Sequence, residues 1–484
     1  MSRAVACPAR QPDAYHPPMQ DLTSSPHTLA SIQVDLPAPP NVPRDRIVDL
    51  TWATGGRPND LRDPYEPCGW LSQPGIPRIL FNPPMPHSGG LAGGSKGAWV
   101  VTHYADIERV YTDNEHFSNK GAAEFQALIG ETFRSIPLAI DPPDHAKYRH
   151  FLFPHFGPTA INKMEPRMRA LAVEMIESFA SKGEVDVAWD FGRVFPVRVF
   201  MGLMGFPPPM FEQFLAWEWD ILHAADRAAT GAALRNVLNF LRCFIAEKET
   251  DPDENLVSKI VHGEIEGRKL TDEEKIGTVW FLWLGGLDTV AATISQMFRR
   301  MAVEPEIQHQ LRAHPELINS AVEEFLRTQP ILSSARTATR DFEWHGVTLK
   351  AGDSVQCLNS SGNFDPERFP DPRRFDPARK ANRHFTFIAG IHLCLGATLA
   401  RRELRIILEE WLKRIPAFTI KPGADSTVFP GLLSIRNLPL VWEVERKTSI
   451  GNVLFEGNIL PSAPCVIRTR LRIDARASKE VFLF

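Results

Sequence analysis

The segment with the clearest chemical potential is a lone cysteine in a glycine-rich loop. Phe387, Gly390, His392, Cys394 and Gly396 stand at short fixed spacings directly before an amphipathic helix pattern. Backbone N–H groups at a helix start lack intrahelical acceptors and carry partial positive charge, so they favour a thiolate and can donate to its sulfur. The glycines allow a sharp turn and the close approach of a flat ligand. Alone, the thiol is as well explained by structural burial, but the combined spacings favour a soft metal ligand.

This loop matches FxxGxHxCxG at every specified position and resembles the signature of the cytochrome P450 haem-thiolate monooxygenases. The resemblance implies haem b as the cofactor and Cys394 as its axial iron ligand, whose thiolate pushes electron density onto the metal. It also implies a mainly α fold with a large helical lobe and a smaller lobe that contains β-structure. Phe387, His392 and Gly396 would complete the cofactor-binding loop.

A second motif, ExxR at Glu324 and Arg327, becomes specific only together with a pattern further along the chain. Alone it is better explained as a solvated i, i+3 pair, and Glu323 is placed equally well to reach Arg327. Downstream, however, an FxPxR pattern ends at Arg379, where the same family has one. The resemblance implies that Glu324, Arg327 and Arg379 form a buried charge network with a structural role, holding the loop that presents Cys394.

A long apolar segment, residues 271–302, predicts one helix that begins at a capping box over Thr271–Glu274. Two glycines lie near its centre, and the Thr289 hydroxyl can bond back to the Gly285 carbonyl and open a groove. As a membrane span, the segment would place Asp288 near the bilayer centre at about 3 kcal/mol. A buried helix of a soluble protein, without a membrane span, is therefore favoured.

The family resemblance assigns functions to this groove and to a third motif. Thr289 and Asp288 would be catalytic, the first as a hydrogen-bond partner for dioxygen and the second as a proton relay, and Gly285 would contact the haem. Arginine suits carboxylates because its planar fork binds both oxygens. The resemblance accordingly places four side chains at the haem propionates: His145, Arg149, Arg336 and His392.

Between about residues 46 and 444 the chain resembles the camphor-hydroxylase branch of the family. Phe133 stands where camphor-binding members carry a tyrosine that donates to a ketone, so a less polar substrate is expected. The rest of the implied pocket is uniformly apolar: Leu138, Phe281, Leu284, Leu332, Leu432 and Leu433. Without a charged anchor, this wall favours a small or medium hydrophobic substrate, terpenoid or aromatic.

The chain carries no dinucleotide fingerprint of the GxGxxG type, so electrons must come from other proteins. The resemblance implies a two-iron ferredoxin and its NADH-dependent reductase, docking on the face behind Cys394. Four cations could form a basic landing patch there, although a solvated surface explains them equally: Lys147, Arg149, Lys380 and Arg383. A peroxide-driven enzyme on the same fold and a non-catalytic haem-binding sensor remain the alternatives.

Composition and patterning set the framework for these motifs. The 484 residues carry 54 Lys and Arg against 58 Asp and Glu, a net charge of −4, which argues against nucleic acid as a partner. The six cysteines show no CxxC pair, and the N-terminus has no signal-peptide pattern, so a reducing cytoplasm is expected. Three parts are predicted: a Pro-rich flexible tail at 1–45, a haem domain at 46–444, and an extension of unassigned role at 445–484.

Periodicity predicts the elements that position the motifs. Apolar spacing predicts helices at about 158–182, 207–226, 229–249, 271–302, 315–329 and 395–415. Short β-like runs are predicted at 78–81, 98–102, 335–340 and 347–349.

Overall fold

The computed structural model describes residues 29–50, 65, 67–83, 96–223, 227–424, 428–429 and 432–444. Residues 1–28 of the predicted tail and the whole extension 445–484 lie outside the described residues. Residues 29–45 do not form a loose tail, because Ile32 and Val42 are buried and Gln33 pairs with Val48 in a β-bridge. The ordered fold therefore begins before residue 46. The prolines that follow Ile32 disfavour a long helix in this segment, but they are compatible with an extended chain packed on a sheet.

The larger part of the described chain is helical. Its α-helices are α1 (Leu29–Ile32), α2 (Tyr104–Thr112), α3 (His145–Phe156), α4 (Pro158–Ala180), α5 (Val194–Met204), α6 (Phe211–His223), α7 (Arg227–Thr250), α8 (Leu256–Val261), α9 (Asp272–Gly285), α10 (Asp288–Val303), α11 (Pro305–Ala313), α12 (Ile318–Thr328), α13 (Asn359–Asn363) and α14 (Ala397–Arg414). One apolar cluster packs α4, α10, α12 and α14 together, and a second joins α5 to α9.

The strands are short and form small sheets. They are β1 (Ile79–Asn82), β2 (Ala98–Val101), β3 (Phe117–Ser118), β4 (Glu184–Asp186), β5 (Glu264–Ile265), β6 (Arg268–Lys269), β7 (Ser334–Ala338), β8 (Phe342–Trp344), β9 (Val347–Leu349), β10 (Ser354–Cys357), β11 (Phe418–Ile420), β12 (Val428–Phe429), β13 (Ser434–Ile435) and β14 (Pro439–Trp442). The largest sheet has the order β1-β2-β10-β7-β3, in which β2 and β10 are parallel and the other pairs antiparallel. This sheet and the helices give the mainly α fold with a smaller β-containing region.

The predicted helix at 271–302 is in fact two helices. The capping box at Thr271 and Glu274 is present, but the helix is interrupted after Gly285 and resumes at Asp288. Gly286 is needed at the break because a Cβ there would overlap the ring of Phe200 on α5. Sequence periodicity could not show this, since the close approach of α5 is a tertiary contact.

Helices α9 and α10 cross the centre of the protein. Together, Asp272–Val303 is the one stretch of the described residues that is long and apolar enough to span a membrane, and its most apolar window is 61% buried. Apolar residues of α10 pack into the same cluster as α4, α12 and α14. Burial on several sides explains the composition, because a helix surrounded by protein has no polar face to present.

Candidate functional site

The cysteine loop is held in one conformation by its backbone. Gly390 has φ +70°, and a Cβ at this position would overlap the carbonyl oxygen of Tyr111 on α2. Cys394 donates its N–H to the Phe387 carbonyl at 3.0 Å, and α14 begins at Ala397. The glycine therefore serves both the left-handed turn and the close packing against α2.

The sulfur of Cys394 lies among hydrogen-bond donors and cations. Burial raises the pKa of the thiol, while the N–H groups of Gly396 and Ala397 and the guanidinium groups of Arg149 and Arg401 oppose that rise. The residue nevertheless has exposed surface. A thiol that is desolvated in a residue with exposed surface fits a position beside an internal cleft. This arrangement suits a thiolate that gains its negative charge when a metal replaces the proton.

Beside the loop, the structure brings together the four predicted propionate ligands. The ring centroids of His145 and His392 are 4.4 Å apart. The positive charges of Arg336 and Arg149 act on His392. Arg336 donates to the carbonyl of Ala335 at 2.8 Å and lies over the ring of Tyr111. His145, Arg336 and His392 are all buried.

This cluster has more donors than acceptors. Nη2 of Arg336 and Nε2 of His145 are buried without a hydrogen-bond partner among the described residues. Burial, together with the charges of Arg336, His145 and Arg149, lowers the pKa of His392 to about 3. Buried donors are normally satisfied, so the cluster fits an anionic ligand. The two carboxylates of a haem supply acceptors of this kind.

The break between α9 and α10 opens the groove predicted at this point. Thr289 donates its hydroxyl to the Gly285 carbonyl at 3.1 Å, as expected from their spacing. A Cβ built on Gly285 would meet nothing within 4 Å. Gly285 also has exposed surface, although it lies between two central helices. The side of the break that carries Gly285 therefore borders open space.

Asp288 lies beside a second acid that the sequence motifs do not reveal. It lines a small cavity together with Glu218 of α6 and Arg193, which precedes α5. Glu218 is 3% exposed, and a signal for it does exist. It shares the apolar face of α6 with Phe214 and Ile221, at helical spacings of four and three residues.

The predicted charge network is present. Arg327 donates Nε and Nη2 to the two carboxylate oxygens of Glu324 at 2.9 and 2.7 Å, and Arg379 Nε donates to the same group at 3.2 Å. Burial raises the pKa of Glu324, but the hydrogen bonds and charges of these arginines outweigh it and lower the pKa. Glu323, the competing partner, instead pairs with Arg401 and His384.

The predicted pocket residues differ in their surroundings. Phe133 is 4% exposed and belongs to the cluster against which Leu284 packs. Leu433 packs against the other helical cluster and donates its N–H to the Ile331 carbonyl at 2.8 Å, so the segments at 332 and 432–433 adjoin. The remaining side chains of this set keep partial exposure: Leu138, Phe281, Leu284, Leu332, Leu432 and Leu433.

The predicted basic patch is weaker than its sequence indicates. Lys147 pairs with Asp144 and Glu266, both at 3.0 Å, and Arg383 pairs with Glu108 at 3.3 Å. Arg149 is partly buried beside Cys394, and Lys380 is exposed. Carboxylates on neighbouring segments neutralise two of the four cations, which sequence spacing alone could not show.

Comparisons with known proteins agree with this geometry. The family model for cytochrome P450 matches residues 197–431. A relative from Sinorhizobium fredii, named "Probable cytochrome P450 127A1", is 36% identical over 410 residues, which are 84% of this chain and 97% of the relative. The steroid C26-monooxygenase of Mycobacterium tuberculosis is 32% identical over 351 residues, 70% of this chain and 90% of that protein. The crystal structure of CYP101J2 superposes with a TM-score of 0.73 at 32% identity, covering 84% of this chain and all of that one.

Proposed function

Because the chain belongs to the cytochrome P450 family, whose monooxygenases carry haem b on a cysteine thiolate, we propose that Cys394 is the axial ligand. The enzyme inserts one atom of dioxygen into a C–H bond of a hydrophobic substrate. The observation that carries this assignment is the environment of Cys394, whose thiol is desolvated, whose residue keeps exposed surface, and whose sulfur lies beside the N–H groups that open α14.

Bound haem supplies the binding and reductive activation of dioxygen in this site. The protein supplies the surroundings. Arg336 and His145 offer their unpaired nitrogens to the carboxylates, and Gly285 leaves room beside the break between α9 and α10. The Thr289 hydroxyl donates its proton to the Gly285 carbonyl, so its oxygen is held as a hydrogen-bond acceptor at the groove, and Asp288 supplies protons. The net reaction consumes two electrons and two protons and releases one water.

We further propose that the substrate is a small or medium terpenoid or aromatic molecule. The support is the apolar character of the predicted wall and the phenyl ring of Phe133, which offers no donor to a ketone. The name of the tuberculosis relative refers to a steroid, which is also a largely apolar molecule. A screen of apolar compounds for a haem spin-state shift would identify the class.

Electrons would come from a two-iron ferredoxin that an NADH-dependent reductase supplies, with all components in the cytoplasm. The support for a separate donor is that the chain shows no nicotinamide fingerprint. The ion pairs of Lys147 and Arg383 leave Lys380 as the exposed cation of the predicted patch that makes no ion pair among the described residues. Docking through a few charges predicts a salt-sensitive reduction rate.

The assignment of Cys394 is tested by the carbon monoxide spectrum of the reduced protein. Wild-type protein should show the red-shifted Soret band of thiolate-bound haem, and Cys394→Ser should lose it. Cys243→Ser is the matched control, because Cys243 is an exposed thiol on α7, and it should retain the band. A band that survives in Cys394→Ser would disprove the ligand assignment.

Replacing Thr289 by Ala distinguishes the monooxygenase from its two alternatives. We expect Thr289→Ala to consume electrons but to release more peroxide and less product, because the positioned hydroxyl is gone. Thr293→Ala is the control. One turn later in the chain, the Thr293 hydroxyl donates the same type of hydrogen bond to the backbone carbonyl four residues earlier, that of Thr289, at 2.9 Å. Unchanged electron consumption and peroxide release in Thr289→Ala would favour a sensor. Turnover with peroxide but not with ferredoxin would favour a peroxide-driven enzyme.

A further inference from the structure

Glu218 is a buried acid for which the fold gives no structural reason. It lies on the apolar face of α6 and is 3% exposed. Its nearest cation, Arg193, places Nη2 at 3.9 Å from Oε2, which is too far for a hydrogen bond. Arg193 instead donates Nη2 to the carbonyl of Leu215 at 2.7 Å. The other oxygen, Oε1, receives no hydrogen bond from a donor among the described residues.

The surroundings of Glu218 favour its neutral form. Burial raises its pKa well above the usual value, and the adjacent carboxyl of Asp288 raises it further, while Arg193 alone opposes the rise. Two carboxyl groups in contact cannot both be ionised at low cost. A protonated Glu218 carries a hydroxyl that can donate to Asp288.

A small cavity connects this pair with the protein surface. Its volume is about 30 Å³, and roughly 10–15 Å³ is enough to admit a water molecule. Trp189, which is 38% exposed, and Trp219 form part of its wall, and Arg193 lies 4.7 Å from the ring of Trp189. Ala291 and Ala292 of α10 line the cavity beside Asp288. Water can therefore reach the acid pair along the side of α10 that carries Asp288.

We propose that Glu218 is the proton donor to Asp288, so that protons enter the active site through this cavity. The inference rests on the proposed monooxygenase function, in which Asp288 supplies protons to the groove at Thr289. Glu218 acts through Asp288 and is in that sense a positioning residue of the relay. Arg193 and Arg436 are the cations that border the cavity.

The relay balances without a further reactant. Glu218 passes its proton to the Asp288 carboxylate, and Asp288 then releases a proton towards Thr289. Both acids are ionised at that point, and their repulsion makes Glu218 take a proton from hydronium in the cavity, which leaves water. The pair is back in its singly protonated state, and no electrons have moved.

Glu218→Gln separates a relay from a structural bridge. Glutamine has nearly the same volume and can still donate a hydrogen bond to Asp288, but it cannot release a proton. We expect an unchanged thiolate Soret band and substrate-induced spin shift, with product formation about tenfold slower or more and a larger solvent deuterium isotope effect. Glu212→Gln, on the exposed side of the same helix, should behave as wild type. Product formation at the wild-type rate in Glu218→Gln would overturn the proposal.

Two further measurements do not depend on one variant. Infrared spectra should show the C=O stretch of a protonated carboxyl group that shifts in heavy water, disappears in Glu218→Gln and remains in Glu212→Gln. Its absence from wild-type protein would overturn the proposal. Steps in series are not additive, so Glu218→Gln combined with Asp288→Asn should turn over no more slowly than Asp288→Asn alone. A multiplicative loss would contradict the relay, whereas failure of the monooxygenase function itself would appear in the carbon monoxide spectrum of wild type.

Discussion

Two buried charged regions of this protein use their donors in opposite ways. In the first, around Glu324, all three guanidinium nitrogens of Arg327 have acceptors: the Glu324 carboxylate and the carbonyls of Asn363 and Arg374. In the second, beside Cys394, Arg336 and His145 each keep a buried nitrogen without a partner in the described chain. Burial is similar, since none of these side chains belongs to a residue more than 4% exposed.

The difference teaches that saturation of hydrogen bonds, rather than burial, separates a structural network from a binding site. In a saturated network, internal hydrogen bonds offset the desolvation cost of the charged groups. Such a network stabilises the chain in the absence of any ligand. An unsaturated one destabilises the free protein and gains its partners only when a ligand supplies them. By this criterion we propose that the region of Arg336 and His145, called the cradle below, binds the carboxylates of haem, and that the region of Arg327 supports it.

The largest effect should come from breaking the saturated network. Arg327→Ala leaves the fully buried Glu324 carboxylate without its bidentate partner, so we expect about 3–5 kcal/mol less free energy of unfolding. Chemical denaturation of the haem-free protein measures it. Arg379→Ala should cost less, because Arg379 makes one bond to that carboxylate, at 3.2 Å.

A surface ion pair provides the control for this experiment. Lys350 and Asp341 pair at 2.8 Å with both side chains about half exposed, and Lys350→Ala should cost no more than about 1 kcal/mol. If Arg327→Ala cost as little as Lys350→Ala, the network around Glu324 would not be the support of the loop, and the contrast between the two regions would fail.

An intermediate effect should come from the cradle, and it should appear in a different measurement. Arg336→Ala removes a donor that has no protein partner at Nη2, so the haem-free protein should lose much less stability than Arg327→Ala does. Haem affinity should fall about 10- to 100-fold, as expected for a lost charged hydrogen bond of about 1.5–3 kcal/mol. Titration of the haem-free protein with haem measures this loss. The exposed Arg340 provides the control variant, Arg340→Ala, and equal haem affinities of the two variants would exclude Arg336 from the cradle.

The sequence predicts many of the elements that carry these two regions, because the elements are strongly amphipathic helices and local motifs. Helices α4 and α14 lie within a few residues of their predicted bounds, and the capping box at Thr271 is present. Helix α5 was not predicted, because buried apolar residues lie all around it and leave no period to detect. The apolar face of α6 marks Glu218 in the sequence, but its partner Asp288 lies on another helix, and only tertiary packing brings the two together.

The two adjacent glycines at the break between α9 and α10 give the finest test of where the cleft lies, and Gly285→Ala gives the smallest predicted effect on stability. A methyl group on Gly286 would overlap the Phe200 ring, so Gly286→Ala should lose about 1–3 kcal/mol of unfolding free energy by overpacking. A methyl group on Gly285 meets nothing within 4 Å, and Ala is favoured over Gly in helices by up to about 1 kcal/mol. Gly285→Ala should therefore leave the haem-free protein unchanged or slightly more stable, while slowing carbon monoxide binding to the reduced haem protein. Equal destabilisation by both substitutions would mean that protein atoms, and not the haem cleft, occupy the space beside Gly285.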